Sequence, residues 1–103
     1  MLLPGAEAHG MDHRQCLELL ESTEDTLNFL TSTLGYLIHA ESQKPFPDMQ
    51  LIDDWNALKQ EVFDVGYSLS GANVEIYKQI EQTYRGRNLE LQSIVDIYMA
   101  GRF

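Results

Sequence analysis

The run Leu51–Leu69, LIDDWNALKQEVFDVGYSL, sets Leu51, Trp55, Leu58, Val62, Val65 and Leu69 at intervals of four, three, four, three and four residues. Those intervals place six apolar side chains on one stripe of an α-helix, the a/d pattern by which helices pack together. The rest of the chain reads as helices assembled against that stripe.

Upstream, no proline occurs between Asp12 and Ser42, and Leu20, Leu27, Leu30, Leu34 and Leu37 form a second stripe, extended backwards by Cys16 and Leu17. Phe29 and Tyr36, seven residues apart, fall on a different side of the same helix. A helix with two apolar sides needs two sets of neighbours, supplied by its own chain or by a second subunit. Its Ser and Thr content and Gly35 lower intrinsic helix propensity, so packing must hold it. Lys44-Pro45-Phe46-Pro47 ends it, because two prolines prevent helix continuation and bias their predecessors towards extended backbone. Phe46 is expected to plug the end of the bundle. Asp48 is placed to cap the second helix, which should run to about Ser70 and stop at Gly71.

Downstream, Tyr77, Ile80, Tyr84, Leu91, Ile94 and Tyr98 repeat the helical spacing, while Arg85-Gly86-Arg87-Asn88 interrupts it. One kinked helix, or two short helices with Asn88 capping the second, both satisfy this pattern. The expected fold is all-α: an up-down helical bundle of three or four helices, which dimerisation would help to complete. Residues 1–10 read as a flexible N-terminal extension or an expression remnant, and 11–103 as a single helical bundle domain.

Composition narrows the function classes. Of 103 residues, 44% are hydrophobic, as in a folded globular domain, and sixteen acidic against seven basic side chains give a net charge of −9. Such a surface repels nucleic acid and anionic membranes, which bind through Lys and Arg. It suits a basic partner protein, a metal-chelated substrate, or solubility. Cys16 is alone, which excludes an intramolecular disulfide, and its apolar setting suggests a buried inert thiol. No apolar run reaches the roughly 18 residues of a membrane span and no secretory leader is visible, so the cytoplasm is the expected compartment. His9, His13 and His39 lack zinc-ligand spacing, and Gly66, Gly71 and Gly86 are too dispersed for a phosphate-binding loop.

Two carboxylate rows remain. Glu18, Glu21 and Asp25, with Glu24 beside them, lie along the first helix, and Asp54, Glu61 and Asp64 along the second. Facing each other across an antiparallel pair, they would form an oxygen-ligand site suited to Mg²⁺. Facing outward, they are a solvated acidic surface. Glu61-Val62-Phe63-Asp64-Val65, followed by Tyr67 and Leu69, resembles the ExxD-V helix of the all-α nucleotide pyrophosphohydrolases, the MazG-like family, and Glu21 and Glu24 resemble its upstream ExxE. That resemblance implies Mg²⁺ held by Glu21, Glu24, Glu61 and Asp64, hydrolysis of nucleoside triphosphates to monophosphates, and a dimeric or larger assembly.

Arg85, Arg87 and Arg102 with Tyr84 make the one basic-aromatic patch, which either grips an anion or offsets the acidic helices. Three function classes follow. The first is a small acidic helical protein-protein interaction protein of the adaptor or neutraliser type, without catalytic activity or cofactor, self-associating as a homodimer and binding a basic partner. The second is the Mg²⁺-dependent pyrophosphohydrolase that the resemblance implies. The third is an apolar-ligand binder with its pocket near Trp55, Phe63 and Tyr77. Convergence of Glu21, Glu24, Glu61 and Asp64 is the observation that separates the first two.

Overall fold

Leu30, Leu34 and Leu37 have no solvent exposure and Leu27 very little, so the first leucine stripe is the axis of the core. They belong to α1, His13–Ser42, the first of three helices among the residues that the computed structural model describes, 13–69 and 74–101. The others are α2, Met49–Ser68, and α3, Val74–Met99; no strand occurs among the described residues. The expected tail over residues 1–10 and the expected stop at Gly71 lie outside the described residues.

Helix α1 tolerates its hydroxyl residues because they bond back to its own backbone. Thr23 donates to the Leu19 carbonyl at 2.8 Å and Thr26 to the Ser22 carbonyl at 3.0 Å. Beyond Ser42 the chain turns, with the Lys44 amide donating to the Glu41 carbonyl at 3.2 Å. Asp48 caps α2 as expected: its backbone is extended and its carboxylate accepts from the Leu51 amide at 3.1 Å. Phe46 does not plug the bundle. It is 93% exposed, because the proline-flanked turn holds it outside the packed end.

On α2, Trp55, Val62 and Leu69 enter the core with Ile52, while Leu58 and Val65 sit at its margin. The segment after the turn is one helix: Gly86 and Asn88 lie inside α3, and the Asn88 amide donates to the Thr26 carbonyl of α1 at 3.2 Å instead of capping anything. Cys16 is half-buried, not sealed in the core.

Helix α1 packs along both α2 and α3, whose backbones stay farther apart and meet through long side chains. Contacts of Thr23 with Tyr77 and of Glu41 with Tyr98 make α1 and α3 parallel, with α2 running against both. Tyr77, Tyr84, Leu91 and Tyr98, each seven residues after the last, are all buried on α3. The three tyrosine hydroxyls donate in turn to the Leu69 carbonyl, the Glu61 carboxylate and the Glu41 carboxylate. Each tyrosine rung of α3 is therefore both apolar filler and a directional bond to α1, to α2 or to the cap of α2.

Candidate functional site

The carboxylates singled out by the sequence are not gathered at one point. Glu61 and Asp64 share the face of α2 that carries Ala57, Gln60, Val65 and Ser68. There Glu61 accepts from the Tyr84 hydroxyl and Asp64 from the Gln60 side-chain amide at 3.1 Å. Glu24 instead borders the groove between α1 and α2, opposite Val62, Phe63, Gly66 and Tyr67. Glu21 is exposed one turn earlier on α1. Among the described residues no three His, Cys, Asp or Glu side chains stand close enough together to hold a metal ion. The structure does not bring Glu21, Glu24, Glu61 and Asp64 together around one point.

The basic-aromatic patch is used internally as well. Arg85 pairs with Glu81 at 2.9 Å, and Glu81 also accepts from the Ser22 hydroxyl of α1. Arg87 approaches Glu90 at 3.7 Å, Tyr84 is buried, and Arg102 lies outside the described residues. Burial first, and the Glu61 carboxylate second, push the Tyr84 hydroxyl up to about 12, so it stays a proton donor.

The most elaborate polar cluster involves a residue that the sequence motifs do not single out. Glu41 is 1% exposed, yet its carboxylate meets the Lys44 ammonium at 2.8 Å, the Asp48 amide at 2.8 Å and the Tyr98 hydroxyl. The hydrogen bond from Lys44, then those from Tyr98 and Asp48, hold the Glu41 carboxyl down at about 2, although burial acts the other way. Lys44 also lies 4.9 Å from the Tyr98 ring centroid, and Trp55 meets that ring edge-on at 6.2 Å. This cluster ties the end of α1 to the start of α2 and the end of α3. The Glu41 carboxylate is buried and bonded to three partners within the chain, so the cluster is a structural latch. Its sequence signal is position: Leu27, Leu30, Leu34, Leu37 and Glu41 continue the same three/four spacing.

The groove between α1 and α2 is the opposite kind of place. It encloses about 390 Å³ and is lined by the buried Leu27, Val62 and Leu69, with Phe63 and Tyr67 on its α2 wall. Phe63 is 44% and Tyr67 83% exposed. Gly66 keeps that wall low: a Cβ there would meet no atom within 4 Å. Trp55 and Tyr77, the other two residues expected around an apolar pocket, are buried elsewhere in the core.

The charge beside this groove is uncompensated. Among the described residues Glu21, Glu24, Asp25 and Asp53 are the carboxylates with no hydrogen-bond or ion-pair partner; every other one is engaged. Three of those four fall within five consecutive residues of α1, with Glu24 on the groove itself. Open apolar surface and unpaired negative charge coincide there.

No family model, curated protein or solved structure matches this chain. The likeness to the MazG-like helix accordingly stands on the Glu61–Leu69 residues and their upstream ExxE alone. No described helix is long and apolar enough to cross a membrane.

Proposed function

We propose that this chain is a small acidic interaction module of the cytoplasm that docks a basic amphipathic segment of a partner protein in the groove between α1 and α2 and has no catalytic role. The observation that carries this proposal is the coincidence of an apolar floor (Leu27, Val62, Leu69) with the unpaired carboxylates Glu21, Glu24 and Asp25. A helix lying in such a groove would seat large apolar side chains against Phe63 and Tyr67. Lys or Arg one turn along would reach the carboxylates. Long-range attraction by the net charge of −9 would speed the encounter without fixing the site. In this proposal the chain acts as a homodimer, and Glu24 is the only one of the four MazG-type carboxylates to border the groove.

The test is titration with a Leu/Lys amphipathic helical peptide and with its Leu/Glu counterpart, followed by calorimetry. The Leu/Lys peptide should bind in the micromolar range and weaken as salt rises. Glu24→Lys or Tyr67→Ala should weaken it about tenfold, a difference of roughly 1.4 kcal/mol. Asp53→Lys makes the same charge change away from the groove and should leave affinity within about twofold. Equal weakening by Asp53→Lys and Glu24→Lys, or no binding of the basic peptide, would refute the proposal.

A further inference from the structure

The longest stretch without Asp, Glu, Lys or Arg is Thr26–Ala40, fifteen residues in the middle of α1. Its leucines face α2 and α3, but Phe29 and Tyr36 do not: they are 53% and 39% exposed, with exposed Ser32 between them. A Cβ at Gly35, which flanks this face, would meet no atom within 4 Å. Between Thr26 and Ala40 this back face of α1 therefore carries no Asp, Glu, Lys or Arg, and sets two exposed aromatic rings among smaller residues.

We infer that the back face of α1 is the contact between two copies of this chain, paired antiparallel about a two-fold axis at Ser32. The inference rests on the proposed self-association and assigns the surface that performs it. Charge selects the occupant. Two molecules that each carry −9 repel, so they meet most closely where no carboxylate of one faces a carboxylate of the other. A basic partner has the reverse need, and between Thr26 and Ala40 this face offers it no carboxylate. The alternation is also self-complementary. In an antiparallel pair centred on Ser32, positions whose numbers sum to 64 lie opposite one another. Phe29 then rests on the partner's Gly35, Tyr36 on the partner's Asn28, and Asp25 beside the partner's His39 instead of another carboxylate. Large side chains fall on small ones, as ridges fall into grooves between packed helices.

The face is about 22 Å long, from fifteen residues at 1.5 Å rise. A single helix face of this length is small beside the roughly 1,000 Å² of specific interfaces, so the dimer should be a concentration-dependent one.

Sedimentation equilibrium between about 1 and 100 µM tests this directly, with a dissociation constant expected inside that window. Ser32→Glu sets two glutamates against each other at the axis, and Gly35→Leu fills the seat of Phe29. Each should weaken the dimer at least tenfold while circular dichroism reports an unchanged helical monomer. Tyr67→Glu, in the groove, should leave the dimer intact. A wild-type chain that stays monomeric throughout overturns self-association itself, and this assignment with it. A wild-type dimer that survives Ser32→Glu and Gly35→Leu, or that Tyr67→Glu dissociates, overturns the assignment of the face alone.

Discussion

The Glu41 latch and the α1–α2 groove use the same two residue types, a carboxylate and a tyrosine, to opposite ends. Glu41 and Tyr98 are buried and bonded to each other, to Lys44 and to Asp48. Glu24 and Tyr67 stand at an open groove with no partner among the described residues. A buried polar group must be satisfied within the protein or it costs free energy, whereas a solvated one is free to be satisfied by something else. What distinguishes fold from interaction in this molecule is thus where bonding capacity is left over.

The largest effect that would sharpen this contrast comes from the latch. Glu41→Ala strands the Tyr98 hydroxyl and the Asp48 amide and should lower unfolding free energy by about 3 kcal/mol in urea denaturation. The same carboxyl makes stability depend on pH. Its folded pKa of about 2 lies below the ordinary 4.5, so its contribution is fully present above pH 4.5 and is lost as pH falls towards 2. Glu41→Gln should remove that component of the acid transition, leaving a flatter profile over this window than the wild type shows. Tyr98→Phe removes one bond but keeps the ring against Trp55 and should cost about 1 kcal/mol.

In the groove the signs reverse. Gly66→Ala places a methyl where nothing stands within 4 Å and restores helix propensity, so stability should rise by about 0.5–1 kcal/mol. The raised wall should at the same time weaken binding of the Leu/Lys peptide several-fold, read in the same calorimeter. Smallest of all, Glu24→Gln should change stability by less than about 0.5 kcal/mol, since nothing in the chain bonds to it. If Glu24→Gln destabilised the fold as much as Glu41→Ala, the contrast between latch and groove would collapse.

Much of the fold was legible in residue spacing. The stripes Leu27–Leu37, Trp55–Leu69 and Tyr77–Tyr98 lie in or at the edge of the core, and Asp48 caps α2. What spacing does not carry is the rotation of one helix against another. The rows Glu21/Glu24 and Glu61/Asp64 each follow helical periodicity, yet whether they face one another depends on how α1 and α2 roll about their axes. The buried leucines and Trp55 settle that roll in favour of packing, which leaves Glu61 to Tyr84 and Glu24 to the groove. Phe46 misleads for a related reason: hydrophobicity argues for burial, but prolines on both sides decide where the backbone can go. Glu41 was hidden by its residue type, although its place in the stripe announced it.

The tyrosines of α3 bear on a problem that leucine-rich helices share. Slide one such helix along another by a turn, about 5.4 Å, and the leucines meet equivalent neighbours at little penalty. Tyr77, Tyr84 and Tyr98 do not allow this, because each hydroxyl has an acceptor at one height only: Leu69, Glu61 and Glu41. They act as a vernier, three graduations read against two other helices. A slipped chain would lose all three alignments together, which makes the assembled molecule one structure instead of a family of shifted ones.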